Sequence, residues 1–455
     1  MKPVLLAHHA RSGATALNVV TAALSADART REVEVRFCPG RVSLVDEARQ
    51  VAARGDLPVL AWSFYSPDFT VSAQDLAWVK ARTQDVSLLH LAGGAHATAE
   101  PLQTLEAGFD LVAQGEGEPI IVETFAALLD GKLPCAPGGP PPLALGDRLR
   151  PSQRLSQHGP AAHSPIPGLA HLADDGALVT RGPGDRRPLD DFPAFNIAAG
   201  KWNAIEITRG CVYACTFCQT PTLFKARFRH RSAANVHEHV RAMVRGGGRY
   251  VRFLTPTSLS YGATGTEVVL PAIDELLAGC REALGPERKL YFGTFPSEVR
   301  PEHVSVEALR VLKRWVDNDS LVIGGQSGSE RMLARTRRGH DVEAIERAVR
   351  LCVEEGIRPD VDFLLGMPGE DPADRALSMQ LARKLVDQGA RIHSHAFMPL
   401  PGTPLRGESP TEIEPEIALS MSQLESAGAM YGQWRKQQQV GQELVALRKQ
   451  RASGG

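Results

Sequence analysis

Residues 208–219 read TRGCVYACTFCQ and carry three cysteines, Cys211, Cys215 and Cys218. They follow an alternating run over residues 202–207, so the pattern predicts a strand with three thiols converging just beyond its end. Three thiolates make a soft ligand set, and iron–sulfur clusters are the main protein sites held by cysteines alone. A structural zinc ion, the alternative, requires four ligands and usually two C-x2-C pairs. The loop therefore favours a four-iron cluster with one iron left open.

The C-x3-C-x2-C spacing, with an aromatic residue before the last cysteine, resembles the signature of the radical S-adenosylmethionine (SAM) enzymes. The resemblance implies that Cys211, Cys215 and Cys218 bind a 4Fe-4S cluster. It also implies that the open iron takes the amino and carboxylate groups of SAM, with Phe217 against the adenine. In that family the reduced cluster splits SAM, and the resulting 5'-deoxyadenosyl radical removes hydrogen from an unactivated carbon.

The composition limits the classes of partner. A chain of 455 residues is long enough for two or three domains with buried cores. A net charge of -1 supplies no basic field for nucleic acid, which argues against such a partner. The sequence has neither a run of 18 apolar residues nor a signal-peptide pattern, which predicts a cytoplasmic protein without a membrane partner. Seven cysteines, three of them bunched, indicate metal chemistry in a reducing compartment.

Residues 1–132 alternate strand-like and helix-like runs. The predicted strands lie at 4–7, 32–38, 58–64, 88–93 and 110–113. The predicted helices lie near 14–25, 43–54, 72–82, 101–107 and 118–130. Successive βα units predict an α/β fold with a doubly wound, Rossmann-like sheet of the flavodoxin type, whose ligand site lies beyond the carboxyl ends of the strands.

Residues 59–119 resemble the cobalamin-binding domain that precedes many radical SAM cores. The resemblance implies that five residues lie near the corrin or its nucleotide tail: Ser63, Gly93, Gly94, Gly115 and Glu116. The D-x-H-x-x-G motif is missing, since neither His8 nor His9 has an aspartate two places before it. That absence argues against histidine ligation of cobalt and not against cobalamin. A generic doubly wound domain with glycine turns is the alternative.

Proline and glycine enrichment marks residues 133–198 as an interdomain linker, with a small hairpin near 177–180. Residues 199–402 are predicted to form six βα units, hence a partial (β/α)6 TIM-type barrel. Its predicted strands lie near 203–208, 250–255, 289–295, 320–326, 360–366 and 391–398. Its predicted helices lie near 233–245, 267–283, 304–315, 341–355 and 373–388. Residues 403–455 are predicted to be a helical extension in which Tyr431 and Trp434 pack on the core.

Barrel chemistry sits at the carboxyl ends of strands, where candidate SAM contacts are predicted. Thr255 and Thr257 occupy the place of the family's glycine-rich segment that meets the SAM amino group. Glu298, at the third strand end, is a polar candidate for the cofactor pocket, and an exposed loop glutamate is the alternative.

Segments 326–340 and 360–370 resemble the methylthiotransferase and Elongator-like branch of the radical SAM enzymes. The resemblance places Gln326 and Ser327 on the ribose side of SAM. Arg338 is assigned to the SAM carboxylate, with a helix-surface charge as the alternative, and Gly366 lets the adenine approach.

Strand alternation places His393 and His395 on one face of the sixth strand. On the barrel interior these side chains would meet the substrate as catalytic candidates, whereas on the outer face they are ordinary polar residues.

The resemblances together predict a cobalamin-dependent radical SAM enzyme, a C-methyltransferase acting on a small-molecule or peptide substrate with an external flavodoxin- or ferredoxin-type electron donor. A methylthiotransferase acting on tRNA or protein is the second hypothesis. That class carries a further cluster on three amino-terminal cysteines, whereas here only Cys38 and Cys135 precede the loop. A metal-bearing sensor or scaffold is the non-enzymatic alternative. The substrate itself cannot be inferred from the sequence.

Overall fold

The chain divides into two compact units, Met1–Asn203 and Ala204–Gly455. The computed structural model describes residues 1–10, 13–132, 166–173 and 175–453. Residues 133–165 of the predicted linker, Cys135 among them, lie outside the described residues.

The first unit is built on one sheet, and its five predicted strands are confirmed. They are β1 (Pro3–His8), β2 (Val35–Cys38), β3 (Leu57–Ser63), β4 (Leu89–Gly93) and β5 (Leu111–Ala113). All pair in parallel in the order β2-β1-β3-β4-β5. This is the flavodoxin-type order, which brings the carboxyl ends of the strands to one edge.

Helices cover this sheet on both faces. They are α1 (Ala14–Ala26), α2 (Arg41–Ala53), α3 (Phe69–Arg82), α4 (Ala95–Ala99), α5 (Pro101–Glu106) and α6 (Gly117–Leu129). Alternate residues of β1 enter different apolar cores, Leu5 and Ala7 on one side and Val4 and Leu6 on the other. A sheet buried on both faces explains why its strands read as continuous apolar runs.

Two short strands extend the sheet beyond β5 and correct the interpretation of residues 166–198. The hairpin of β6 (Leu169–Leu172) and β7 (Leu178–Val179) pairs antiparallel to β5 through β6. Residues 166–198 therefore belong to the first unit rather than to a linker, apart from residue 174, which is not described. The sequence did not predict β6 because the residues around it are rich in proline and glycine. In the structure its Leu169 and Ala170 are completely buried.

Ten strands lie in the second unit as far as residue 453, where the described part of the chain ends. They are β8 (Ile205–Glu206), β9 (Thr208–Arg209), β10 (Arg229–His230), β11 (Tyr250–Val251), β12 (Phe253–Leu254), β13 (Lys289–Leu290), β14 (Ser320–Gln326), β15 (Arg358–Leu365), β16 (Arg391–Ala396) and β17 (Met430–Gly432). The parallel pairs are β8 with β12, β11 with β13, and the run β14-β15-β16-β17. All six predicted strand regions are occupied by parallel strands. Closure into a partial barrel remains a prediction.

Helices separate these strands. They are α7 (Thr220–Phe224), α8 (Ala233–Arg245), α9 (Leu270–Leu284), α10 (Val306–Trp315), α11 (Glu330–Arg335), α12 (Val342–Glu354), α13 (Pro372–Asp387), α14 (Pro415–Ser426) and α15 (Trp434–Ser453). Side-chain caps from Ser232, Ser305, Asp341 and Asp371 start the four helices α8, α10, α12 and α13. Across the described part of the chain, no helix has the length and hydropathy that a bilayer crossing requires.

The carboxyl-terminal segment differs from the predicted continuous helix, because strand β17 interrupts it and pairs with β16. Gly432 makes this pairing possible, since its φ is 139° and a Cβ there would overlap the carbonyl oxygen of Ser394. Trp434 is buried, as predicted, whereas Tyr431 is half-buried and stacks on His393.

The turn after β15 is organised by a buried glutamate. The Gly366 N–H donates to Glu370 Oε2 at 2.6 Å, and Arg375 Nη1 lies 3.5 Å from the same oxygen. The other oxygen of Glu370 is buried without a hydrogen-bond partner among the described residues. Burial raises the pKa of Glu370 from 4.5 to about 7, even though Gly366 and Arg375 act in the opposite direction.

We expect Glu370→Gln to weaken the pH dependence of stability. The folded chain holds this proton to higher pH than the unfolded chain, so ionisation costs up to about 3 kcal/mol of stability as pH rises from about 5 to 8. Glutamine keeps an acceptor for Gly366 and removes the charge. Denaturant unfolding of both proteins at the two pH values measures the difference. Equal pH dependence in wild type and variant would contradict the prediction, and the exposed Glu416→Gln is the control.

Candidate cluster and cofactor site

The cysteine loop joins the end of β9 to the start of α7. It begins at Gly210, whose φ is 79° and whose Cβ, if present, would overlap the carbonyl oxygen of Arg227. Cys211 and Cys215 are buried and Cys218 is half-buried. The tight reversal at Gly210 thus turns all three thiols into the second unit rather than towards solvent.

The three thiols are close enough to interact electrostatically yet too far apart for one small ion. Each of Cys215 and Cys218 disfavours ionisation of Cys211. Their sulfur atoms do not all lie within 4.8 Å of one another, a criterion that a different trio of side chains among the described residues does meet. Sulfur ligands of a single zinc ion lie only about 3.8 Å apart, given Zn–S bonds of about 2.3 Å. The donor set therefore fits a multi-iron cluster better than zinc.

Burial raises the pKa of Cys211 to about 12 and also raises the pKa of Cys218. Thiolates at these positions consequently need a strong cationic partner, which cluster iron supplies.

Two buried arginines lie beside Cys215. Arg338 Nη1 is 3.4 Å and Arg300 Nη1 is 4.0 Å from the Cys215 sulfur. Arg300 also lies over the Tyr213 ring at 3.6 Å and donates to the carbonyl oxygen of Arg338. These side chains place two positive charges against a sulfur that must carry negative charge as a ligand.

Arg338 is 3% exposed, so the helix-surface alternative is wrong. Its Nη2 donates to the Gly324 carbonyl at 2.6 Å and lies 3.9 Å from Glu298 Oε1. Burial disfavours its charge, but Cys215 and Glu298 more than offset that cost and raise its pKa. Its Nε has no hydrogen-bond partner among the described residues, which leaves a donor for a ligand such as the predicted SAM carboxylate.

Glu298 connects Arg338 to two further polar side chains. Gln326 Nε2 donates to Glu298 Oε2 at 3.4 Å, and Glu298 also hydrogen-bonds the Asp362 side chain. Burial raises the pKa of Glu298 to about 7, Arg338 acts in the opposite direction, and Asp362 raises it further. Gln326 has a φ of 74°, a strained conformation for a residue with a side chain. Glu298 is thus a partly buried side chain that contacts Arg338, and the alternative of an exposed loop glutamate is wrong.

His393 and His395, whose face the sequence left open, both lie beside Asp362. His393 Nδ1 lies 2.8 Å from Asp362 Oδ1, and His395 Nε2 lies 3.2 Å from His393 Nδ1. Burial alone would raise the pKa of Asp362, but hydrogen bonds with the two histidines hold it below its ordinary value. Gln437, on α15, brings its Nε2 to 3.2 Å from His395 Nδ1.

The loop after β12 offers hydroxyl groups. Thr255 is engaged internally, since its N–H donates to Ser297 Oγ and its hydroxyl donates to the Thr257 carbonyl. Thr257 and Ser258 are buried, and their hydroxyls lack partners among the described residues. Thr257 is therefore better placed than Thr255 to serve a bound ligand.

The other predicted SAM contacts differ in how far they remain available. Ser327 is fully buried, and its hydroxyl accepts from the Ser329 N–H and meets Ser378 Oγ, which leaves it little to offer a ribose. The space beside Gly366 is taken by the Thr411 carbonyl, 3.1 Å from where a Cβ would be. Phe217 packs against the apolar cluster of Met332, Leu364, Met367 and Phe397.

In the first unit, the five predicted cobalamin contacts all lie at the carboxyl edge. Ser63 and Gly93 end the adjacent strands β3 and β4 and pair in register. Gly94 and Gly115 have positive φ and approach Phe64 and Pro183, so both glycines are needed for packing within this unit. Glu116 is buried at the start of α6. The residues lie at one edge as predicted, and their role in cofactor binding remains a prediction.

Sequence reasoning did not identify Arg300, Asp362 or Gln437 as part of this site. Asp362 did carry a signal, because it is a charged residue among apolar neighbours in β15, where 7 of 8 residues are buried. Arg300 and Gln437 had none, since their partners Cys215 and His395 are distant in sequence.

We expect Gly210→Ala to reduce iron uptake. A Cβ on this backbone would meet Arg227 and would also be strained by the positive φ. Anaerobic reconstitution followed by iron analysis should give about four irons per wild-type chain and less than half of that for the variant. Gly356→Ala is the control, because Gly356 has a φ of 73° but open space around its Cβ position. Equal iron contents in both variants would contradict this reading of the loop.

Comparison with known proteins places this geometry in a family. The model of the radical SAM superfamily matches residues 205–382. A tRNA-2-methylthio-N(6)-dimethylallyladenosine synthase of Chlorobium limicola is 30% identical over 216 residues, 47% of this chain and 46% of that protein. The Mycobacterium bovis enzyme of the same name is 30% identical over 246 residues, 50% of this chain and 46% of that protein. The chain thus spans about half the length of the curated relatives it matches.

Two solved structures share the fold over most of the chain. The radical SAM methyltransferase TsrM of Kitasatospora setae, with tryptophan substrate and a SAM analog bound, has a TM-score of 0.63 at 18% identity and covers 89% of this chain and 75% of its own. The cobalamin-dependent SAM radical enzyme OxsB, with aqua-cobalamin bound, has a TM-score of 0.60 at 16% identity and covers 84% of this chain and 52% of its own. Together with the converging thiols, the family match shows that this chain carries a radical SAM domain at residues 205–382.

Proposed function

We propose that the protein is a cobalamin-dependent radical SAM enzyme that methylates an unactivated carbon of its substrate. The observation that carries the proposal is the cysteine loop, with three thiols directed inward and two buried guanidinium groups within 4.0 Å of Cys215 Sγ. This loop lies within the segment that matches the radical SAM superfamily.

Different residues of the second unit would bind the cluster, the SAM carboxylate and the adenine. Cys211, Cys215 and Cys218 would hold a 4Fe-4S cluster, which together with SAM supplies one-electron cleavage of a sulfonium when bound. Arg338 stabilises negative charge at Cys215 and keeps its Nε available for a carboxylate. Phe217 offers an apolar ring for the adenine. An external flavodoxin- or ferredoxin-type protein would supply the electron.

Cobalamin binding is supported by the architecture of the first unit. Its strand order places Ser63, Gly93 and Glu116 at the carboxyl edge, where doubly wound sheets bind ligands. TsrM with cobalamin and a 4Fe-4S cluster bound shares the fold over 89% of this chain. Cobalamin, when bound, would supply a methyl carrier between SAM and the substrate.

We expect cluster assembly and SAM cleavage to depend on the three cysteines of the loop. The reconstituted and reduced wild-type protein should bind about four irons and release 5'-deoxyadenosine from SAM. The triple variant Cys211→Ala/Cys215→Ala/Cys218→Ala should do neither. Cys280→Ala removes a completely buried thiol from α9 and should leave both intact. Zinc without iron in the wild-type protein would instead support the sensor hypothesis.

Corrinoid binding tests the methyl-transfer part separately. The full-length protein, equilibrated with hydroxocobalamin and then desalted, should retain about one corrinoid per chain by absorption. SAM with an isotopically labelled methyl group should then yield labelled methylcobalamin under reducing conditions. Failure to retain any corrinoid would remove methyl transfer and leave the radical chemistry standing.

Methylthio transfer is the second candidate, because the curated sequence relatives are tRNA methylthiotransferases. If this activity were correct, nucleic acid would be the substrate and a second cluster would be expected. Among the described residues of the first unit, however, Cys38 is the only cysteine, and burial raises its pKa to about 12. Iron analysis separates the candidates, with about eight irons per chain supporting methylthio transfer and about four supporting the first proposal.

A further inference from the structure

A second constellation of metal-ligating atoms lies on the parallel strands β15 and β16, separate from the cysteines. Asp362 pairs in register with His393, and His395 follows two positions along β16 on the same face. The side chains are 11%, 16% and 27% exposed, in that order, so they are shielded from water but reachable. Within the described part of the chain, no other histidine, cysteine or carboxylate group brings three ligand atoms this close together.

The three atoms are arranged around a point that suits a metal ion. Asp362 Oδ1 and His393 Nδ1 are 2.8 Å apart, His393 Nδ1 and His395 Nε2 are 3.2 Å apart, and Asp362 Oδ1 and His395 Nε2 are 3.9 Å apart. A circle through three points with these separations has a radius of about 2.0 Å, and zinc bonds to histidine nitrogen and carboxylate oxygen are about 2.0–2.2 Å. An ion near the plane of the three atoms would therefore lie within bonding distance of all of them, and small side-chain rotations would open the angles towards a tetrahedral arrangement.

Without an ion, two histidine N–H groups are directed at the same carboxyl group. The Ala396 N–H donates to Gln437 Oε1 at 3.0 Å, which turns the Gln437 NH₂ group towards His395 Nδ1. His395 Nδ1 must then accept, so its Nε2 carries a proton. The short contact with Asp362 places another proton on His393 Nδ1, so two N–H donors share one carboxyl group while their nitrogens lie only 3.2 Å apart.

We propose that Asp362, His393 and His395 bind a divalent transition-metal ion of the zinc class. Two imidazole nitrogens and one carboxylate oxygen suit Zn²⁺ and neighbouring first-row ions, and three protein ligands leave a coordination position open for water or substrate. The ion replaces the two N–H protons beside Asp362, and its positive charge offsets the negative charge of Asp362 and of the neighbouring Glu298.

Metal binding has one structural consequence for Gln437. Ligation through Nε2 leaves the proton of His395 on Nδ1, which then meets the NH₂ group of Gln437. A glutamate at position 437 would accept from both the Ala396 N–H and His395 Nδ1–H. Carboxylate partners of this kind raise the basicity of a ligating histidine, so Gln437→Glu should tighten metal binding by about tenfold.

The test uses the full-length triple variant Cys211→Ala/Cys215→Ala/Cys218→Ala, so that thiols of the loop do not compete for the added ion. Titration with Co²⁺, followed by its visible d–d absorption, should show one site per chain, and Zn²⁺ should displace the cobalt. Because the cluster ligands are absent, the result does not depend on the proposed radical chemistry. Absence of a stoichiometric cobalt spectrum in the folded variant would overturn the proposal.

Variants of the ligands complete the test. In the same background, His393→Ala or His395→Ala should loosen Co²⁺ binding by at least about a hundredfold, and Asp362→Asn should loosen it as well. His237→Gln is the matched control, since His237 contacts the Leu276 carbonyl on another face of the unit. Circular dichroism and thermal unfolding establish that each variant folds. Equal Co²⁺ affinity in the two His→Ala variants and in His237→Gln would place the ion elsewhere and refute the assignment.

Discussion

The contact between Arg338 and Cys215 is the interaction around which the polar site of the second unit is arranged. A guanidinium group that is 3% exposed is tolerated only when hydrogen bonds and negative charge compensate for the lost hydration. Cys215 Sγ, the Gly324 carbonyl and Glu298 provide that compensation from three separate segments of the chain. Arg338 therefore links the cysteine loop to the segments that contain Gly324 and Glu298.

Glycine at position 324 shows how closely this arrangement is packed. A Cβ at Gly324 would lie 2.6 Å from Glu298 Oε2, so a side chain at this position would displace the carboxyl group. Glu298 would then lose its approach to Arg338 and to Gln326. The absence of a side chain at Gly324 of β14 is thus what allows three polar side chains to meet.

The sequence predicted the regular elements well and the polar contacts poorly. Helices such as α8 and α12 were readable because an apolar face repeats along each and a capping side chain starts each one. β17 was missed, since three residues between two helices carry no periodicity, and its pairing relies on Gly432 approaching Ser394. The pairing of Arg300 with Cys215 spans 85 residues, and only the folded chain brings the two together. The cysteines could be assigned in advance because their spacing is local, whereas Arg300 could not, and Arg338 was assigned by resemblance without its contact to Cys215.

Glu298 couples the charges around the cysteine loop to the charges around His393 and His395. It lies against Arg338 on the side of the cysteines and against Asp362 on the side of the histidines. Positive charge added beside Asp362 stabilises the ionised form of Glu298, and an ionised Glu298 attracts Arg338 more strongly. The charge on Arg338 is unchanged, but the added negative charge of Glu298 lowers the net positive potential at the Cys215 sulfur, which Arg338 Nη1 contacts. Because these groups are shielded from water, salt screens this coupling much less than it screens charges on the surface. A change of charge at the histidines therefore alters the electrostatic potential at the cysteines through the Glu298 carboxyl group, and no movement of the backbone is required.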